Sequence, residues 1–165
     1  MRIILLKIIF ITGASGSGKS TLVELLKQAL PRSQFAVYDF DENGVPENAD
    51  RAWRQYTTDF WLSKGQANGL HGRSTIICGV TVPSEILQSI VKPNLPIEFG
   101  LIKISDDMIR GRLQQRGWSS QSIQDNINWA KYLEDEVQRQ PNYFIVDCDI
   151  DTTKEQVLEQ VLRFL

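Results

Sequence analysis

Apolar residues recur along the chain at two alternating spacings. Residues 3–12 are rich in Ile and Leu without polar alternation, the pattern of a strand covered on both faces in a parallel sheet. From Lys19 to Leu30, Leu22, Leu25, Leu26 and Ala29/Leu30 return at helical spacing, and Pro31 ends the helix. Phe35–Phe40 reads as a second strand running into the turn signal Asp41-Glu42-Asn43-Gly44. A helix is expected from about Glu47 to Asn68, with Trp53, Tyr56 and Phe60 as its core stripe and Asn68-Gly69 as its stop.

The alternation continues to the C-terminus. Ser74–Val80 is a third predicted strand, and Thr81 is placed to cap a helix with Pro83 in its first turn. Ile97–Ile104 is a fourth. Ser105-Asp106-Asp107 supplies an N-cap and an acidic first turn for a helix ending near Gly117. Ile123, Ile127, Ala130, Leu133 and Val137 space out another helix, and Tyr143–Val146 is the fifth strand. A capping box at Thr152-Thr153-Lys154-Glu155 opens the last helix, which packs Val157, Leu158, Val161 and Leu162. Strands alternating with helices predict an α/β fold, its sheet parallel and covered on both sides.

Composition narrows the partners more than the fold. At 165 residues the chain suits one domain. Eighteen basic and 20 acidic side chains leave a formal charge of -2, so no nucleic-acid or membrane partner is expected and a polyanion must be gripped locally. Cys78 and Cys148 sit in apolar runs with no metal or disulfide spacing, which suits buried thiols in a reducing compartment. Arg2 and the apolar run behind it mimic a secretory leader, but Lys7 interrupts the run. It is also far short of the ~20 residues of a membrane span. The expectation is a soluble, cytoplasmic protein, monomeric or homodimeric.

The sharpest chemical signal follows the first strand. Gly13-Ala14-Ser15-Gly16-Ser17-Gly18-Lys19-Ser20 matches G-x-x-x-x-G-K-[ST] and falls between a predicted strand and a predicted helix. Such a loop turns consecutive backbone N–H groups around phosphate oxygens. Lys19 places a charge on the β- and γ-phosphates, Ser20 offers a hydroxyl to Mg²⁺, and the following helix, from Lys19 through Thr21, adds its N-terminal amides. ATP with Mg²⁺ is the expected ligand.

With GASGSGKST at 13–21, YDFDE at 38–42 and RGRLQQRG at 110–117, the chain resembles the small P-loop kinases, the group of shikimate, gluconate and nucleoside monophosphate kinases. The resemblance implies a three-layer, doubly wound P-loop NTPase fold, with a five-stranded parallel sheet in the order 2-3-1-4-5 and helices on both faces. It also implies one domain with a short lid over about residues 116–121. Asp39 and Asp41 would then serve the Mg²⁺ shell and the acceptor, Arg112 and Arg116 would grip nucleotide, and the acceptor would bind against residues 50–70.

The chemistry of these residues agrees with that implication. Strand ends on the carboxyl side of a doubly wound sheet converge beside the phosphate loop. A carboxylate there can hold the waters of Mg²⁺, and a neighbour two residues on can take a proton from an attacking hydroxyl. Asp39 and Asp41 also suit a turn before Asn43-Gly44, and the two roles are compatible. Arg112 and Arg116 share a helix face with Gly117 as a hinge, the plainer reading being a solvated basic last turn; Arg110 is a weaker candidate. Arg51 and Arg54 could hold an anionic acceptor, and Trp53, Tyr56 and Trp61 could stack on a ring, although Asp50–Arg54 also reads as an ordinary i,i+4 pair. His71, the only histidine, sits beside glycines and reads as solvated.

The expected function is an ATP-dependent phosphotransferase acting on a small-molecule hydroxyl, carried by Lys19, Ser20, Asp39, Asp41 and Arg116. A nucleoside or nucleotide acceptor is an alternative, but a nucleotide would need more arginines around the second helix. A regulatory module or weak ATPase without an acceptor is the rival class, and a polynucleotide-end kinase is disfavoured by the acidic balance. A third strand without a terminal Asp argues against a motor ATPase, although Phe35–Glu42 could be a displaced version of that strand, and the lack of N-K-x-D or T-K-x-D argues against a GTPase.

Overall fold

The computed structural model describes residues 5–165. Five strands, β1 (Ile8–Thr12), β2 (Phe35–Asp39), β3 (Ser74–Cys78), β4 (Ile97–Ile104) and β5 (Tyr143–Cys148), form one sheet in the order β2-β3-β1-β4-β5. Every pairing is parallel. The order places β1, which feeds the phosphate loop, at the centre, where both of its faces are buried.

Alternate residues of β1 enter different cores. Ile9 and Ile11 pack with Leu22, Val23 and Leu26 of α1 (Lys19–Ala29) and with residues of α4 (Asp106–Gln115) and α6 (Lys154–Leu162). Ile8 and Phe10 pack on the other face with Trp61 and Leu62 of α2 (Arg51–Leu70), Ile86 of α3 (Pro83–Leu87) and Leu133 of α5 (Ser120–Gln138). This two-sided burial is why β1 lacks the polar alternation of a half-exposed strand.

Several local expectations are corrected. The first strand begins at Ile8; residues 5–7 precede it, and residues 3 and 4 lie outside the described ones. The second helix starts at Arg51, with the Asp50 carboxylate accepting from the Trp53 N–H, and it runs on to Leu70. Its core stripe is Thr57, Thr58, Trp61, Leu62, Gly65 and Asn68; Tyr56 is 73% exposed and Phe60 42%. Trp61 wins the interior because its indole N–H finds the Phe40 carbonyl at 2.9 Å while its ring is buried.

Thr81 does not cap α3. Val82 holds that position, and the Thr81 N–H donates instead to the Thr12 hydroxyl. In the last helix the box lies one residue later, between Thr153 and Gln156. Thr152 is drawn into a turn with Asp149. Ser105 caps α4 as expected. Both thiols are buried and free, and burial pushes Cys78 up to about 12. No helix among the described residues is long and apolar enough to cross a membrane.

Candidate phosphotransfer site

The loop between β1 and α1 owes its course to its glycines. Gly16 and Gly18 have φ of 84° and 92°, where a side chain is strained, and Gly18 is the residue from which α1 starts. At Gly13 a Cβ would meet the Ser17 hydroxyl at 2.7 Å and the Ile102 carbonyl at 2.8 Å. Only glycine fits that approach to β4.

Three side chains brace the loop. The Lys19 ammonium folds back to donate to the Ala14 carbonyl at 2.7 Å and the Ser17 hydroxyl at 3.2 Å. Burial lowers its pKa to about 8, with Cys78, Asp39 and Asp41 opposing the shift and Arg116 adding to it. Arg112, on α4, donates to the Gly16 carbonyl at 2.6 Å. Asn126, on α5, accepts from the Ser15 N–H and donates to the Ser15 carbonyl. Sequence reasoning missed Asn126, because an Asn inside an amphipathic helix carries no signal of a partner 111 residues away.

Beside the loop lies a cleft of about 500 Å³. Lys19, Ser20 and Arg116 line it together with Asp39, Asp41 and Glu42. The ends of β2 and β3 converge here, and Gly79 and Val80 complete the rim. Asp39 does double duty: its carboxylate accepts from the Asp41 N–H at 2.9 Å, forming the turn, while both residues line the cleft. Burial and then the neighbouring Asp39 raise the Asp41 carboxyl above its ordinary value, with Lys19 opposing.

Arg112 and Arg116 serve different cavities. Arg116 closes α4 and faces the main cleft, whereas Arg112 borders a second cavity of about 240 Å³ beside Gly18. That cavity has an apolar wall of Leu22, Leu25, Ile104 and Val157, with Thr152 and Lys154 from the β5–α6 side. The reach of this cavity to β5 was also missed, although the carboxyl end of a parallel strand is where such a signal belongs. Arg110 is exposed. The α4–α5 connector is Arg116–Ser119, turned by Gly117 at φ 76°.

Of the expected acceptor residues, Asp41 lines the cleft and Arg54 does not. Arg54 makes a two-pronged ion pair with Glu85 of α3, at 3.1 and 2.9 Å, instead of an i,i+4 pair with Asp50. That hydrogen bonding raises the Arg54 pKa. Trp61 is core, and His71 is the exposed residue ending α2.

Residues 9–139 match a family model described as an AAA domain. The chain belongs to that family. A Sulfurisphaera tokodaii protein, provisionally named an adenylate kinase, is 26% identical over 94% of this chain and 80% of its own length. A sugar kinase from Janibacter sp. HTCC2649 superposes with a TM-score of 0.67 at 19% identity, covering 96% of this chain and 94% of that one. Shikimate kinase from Bacteroides thetaiotaomicron superposes at 0.59 with 16% identity, covering 95% of each. The fold of this AAA-domain chain is that of the small P-loop kinases.

Proposed function

We propose that the chain is an ATP-dependent phosphotransferase that moves the γ-phosphoryl group to a hydroxyl of a small molecule. The observation that carries this reading is the single cleft that Lys19, Ser20 and Arg116 share with Asp39 and Asp41. A carboxyl pair there serves both the Mg²⁺ shell and the proton of an attacking hydroxyl. At about 500 Å³ the cleft falls in the range that holds a drug-sized ligand. The kinase names of its relatives and structural neighbours support the same class.

The loop amides and Lys19 would hold the β- and γ-phosphates, and the apolar cavity beside Arg112 would receive the nucleobase. Ser20 and Asp39 offer the hard oxygen donors that suit Mg²⁺. When bound, Mg²⁺ would neutralise charge on the β- and γ-phosphates.

The acceptor oxygen attacks the γ-phosphorus, the bond to the β–γ bridging oxygen breaks, and ADP leaves. Asp41, more basic than an ordinary carboxylate, takes the acceptor's proton. Arg116 stabilises the charge spread over the transferring group. Residues 116–121 serve as a short lid, hinged at Gly117. Two buried free thiols suit a reducing cytoplasm.

The test is ADP release across a metabolite and nucleoside panel, scored against the no-acceptor rate, with Lys19→Ala alongside. Acceptor-stimulated ADP release that Lys19→Ala abolishes, together with its ATP-dependent thermal stabilisation, is the expected result. An unchanged thermal shift in Lys19→Ala would remove the phosphate loop from the account.

A further inference from the structure

An acceptor bearing a carboxylate or phosphate needs a cation on the acceptor side of the cleft, because an anion buried without a partner is strongly disfavoured. The two cations that line the cleft, Lys19 and Arg116, are the ones the phosphotransfer reading assigns to the phosphates. Three carboxylates share the lining, Asp39, Asp41 and Glu42, of which only Glu42 has a lysine partner, Lys27, at 3.3 Å. Gly79 and Val80 of the β3–α3 connector, which complete the rim, bring no cation. Gly79 cannot carry a side chain, since a Cβ there would strike Phe40.

The arginines of α2 do not make up the deficit. Both carboxylate oxygens of Glu85 accept from Arg54, which satisfies its charge and its fork of donors. Arg51, exposed in the first turn of α2, donates to Gln88. Arg73 donates to Asn68 and borders a separate groove beside β2.

We propose that the acceptor carries no anionic group: it is a neutral or amine-bearing hydroxyl compound, received between the Asp39–Asp41 carboxyls and the Gly79–Val80 rim. This rests on the phosphotransfer reading above and narrows it. Arg54, paired with Glu85, does not line the cleft and supplies it no cation.

The test supplies the full chain with ATP, Mg²⁺ and four acceptor groups at equal concentration: sugars and polyols, amino alcohols, hydroxy acids, and nucleoside monophosphates. ADP and phosphorylated product are followed together. Turnover above background with one of the first two groups is expected, exceeding the anionic groups by roughly tenfold or more in kcat/KM. Turnover confined to hydroxy acids or nucleoside monophosphates overturns this proposal and leaves phosphotransfer standing. A background unmoved by all four groups overturns both.

Discussion

Asn126 and Ser15 form a closed pair across the molecule: the Asn126 amide accepts from the Ser15 N–H at 3.2 Å and donates to the Ser15 carbonyl at 3.3 Å. One largely buried side chain of α5 therefore satisfies both polar groups of a residue in the phosphate loop. Arg112 does the same from α4 for the Gly16 carbonyl. The two helices joined by the Arg116 connector both hold the loop.

Removing this brace should separate loop geometry from fold stability. In Asn126→Ala the Ser15 groups lose their partner, at about 1–3 kcal/mol, and KM for ATP is expected to rise about tenfold with a smaller change in kcat. Asn126→Asp retains the acceptor but not the donor, and should fall between the two. Thermal melts and initial rates measure both effects; a loss of stability with unchanged KM would make Asn126 a packing residue only.

Asp39 holds a turn and lines the cleft, and Asn can replace it in the first task alone. Asp39→Asn still accepts from the Asp41 N–H. It should bind ADP within about threefold of the unaltered chain and lose transfer by roughly a hundredfold or more. Calorimetric titration and single-turnover rates give the two numbers. Full activity in this variant would deny Asp39 a place in the chemistry.

Arg112 and Arg116 should divide the kinetic parameters between them. Arg116→Ala, on the cleft side, is expected to lower kcat by roughly a hundredfold with little change in KM. Arg112→Ala, which loses the bond to Gly16 and part of the apolar cavity's border, is expected mainly to raise KM for ATP. Identical steady-state profiles for the two variants would contradict this division.

Lys19 gives the free protein a titration near neutrality. Its free-state pKa is about 8, and bound phosphate favours the charged form. Below about pH 8 the ammonium is already present and affinity is flat in this group. Above that value binding must take up a proton, so affinity for ADP should fall by up to about tenfold per pH unit. Stability runs the other way: between about 8 and 10.5 the unfolded chain binds more protons, so folding gains from this group as pH rises. Magnesium-free ADP titrations from pH 7 to pH 9.5, in buffers of different ionisation heat, read the proton uptake. Zero uptake at the alkaline end would contradict the shifted lysine.

The helical stripe of α2 shows where reading from sequence fails. Tyr56 and Trp61 are both large aromatics, and helical periodicity alone favoured the set containing Tyr56 and Phe60. The interior took Trp61 because its N–H could reach the Phe40 carbonyl at the end of β2. Arg54 posed the same problem. Asp50 lies four residues away in sequence, yet it spends its carboxylate on the Trp53 N–H, and Glu85, 31 residues on, takes the guanidinium.

By itself the sequence determined the element order, the parallel sheet covered on both faces, and the phosphate loop with its lysine and serine. These follow from hydrophobic period, turn residues and one local motif, all properties of neighbours along the chain. Tertiary structure alone decided that Asn126 grips Ser15, that Arg112 and Arg116 face different cavities, and that Glu85 occupies Arg54. Each of these depends on the geometry and pairing of polar groups from separate elements, which the linear pattern of hydrophobic and polar residues does not encode.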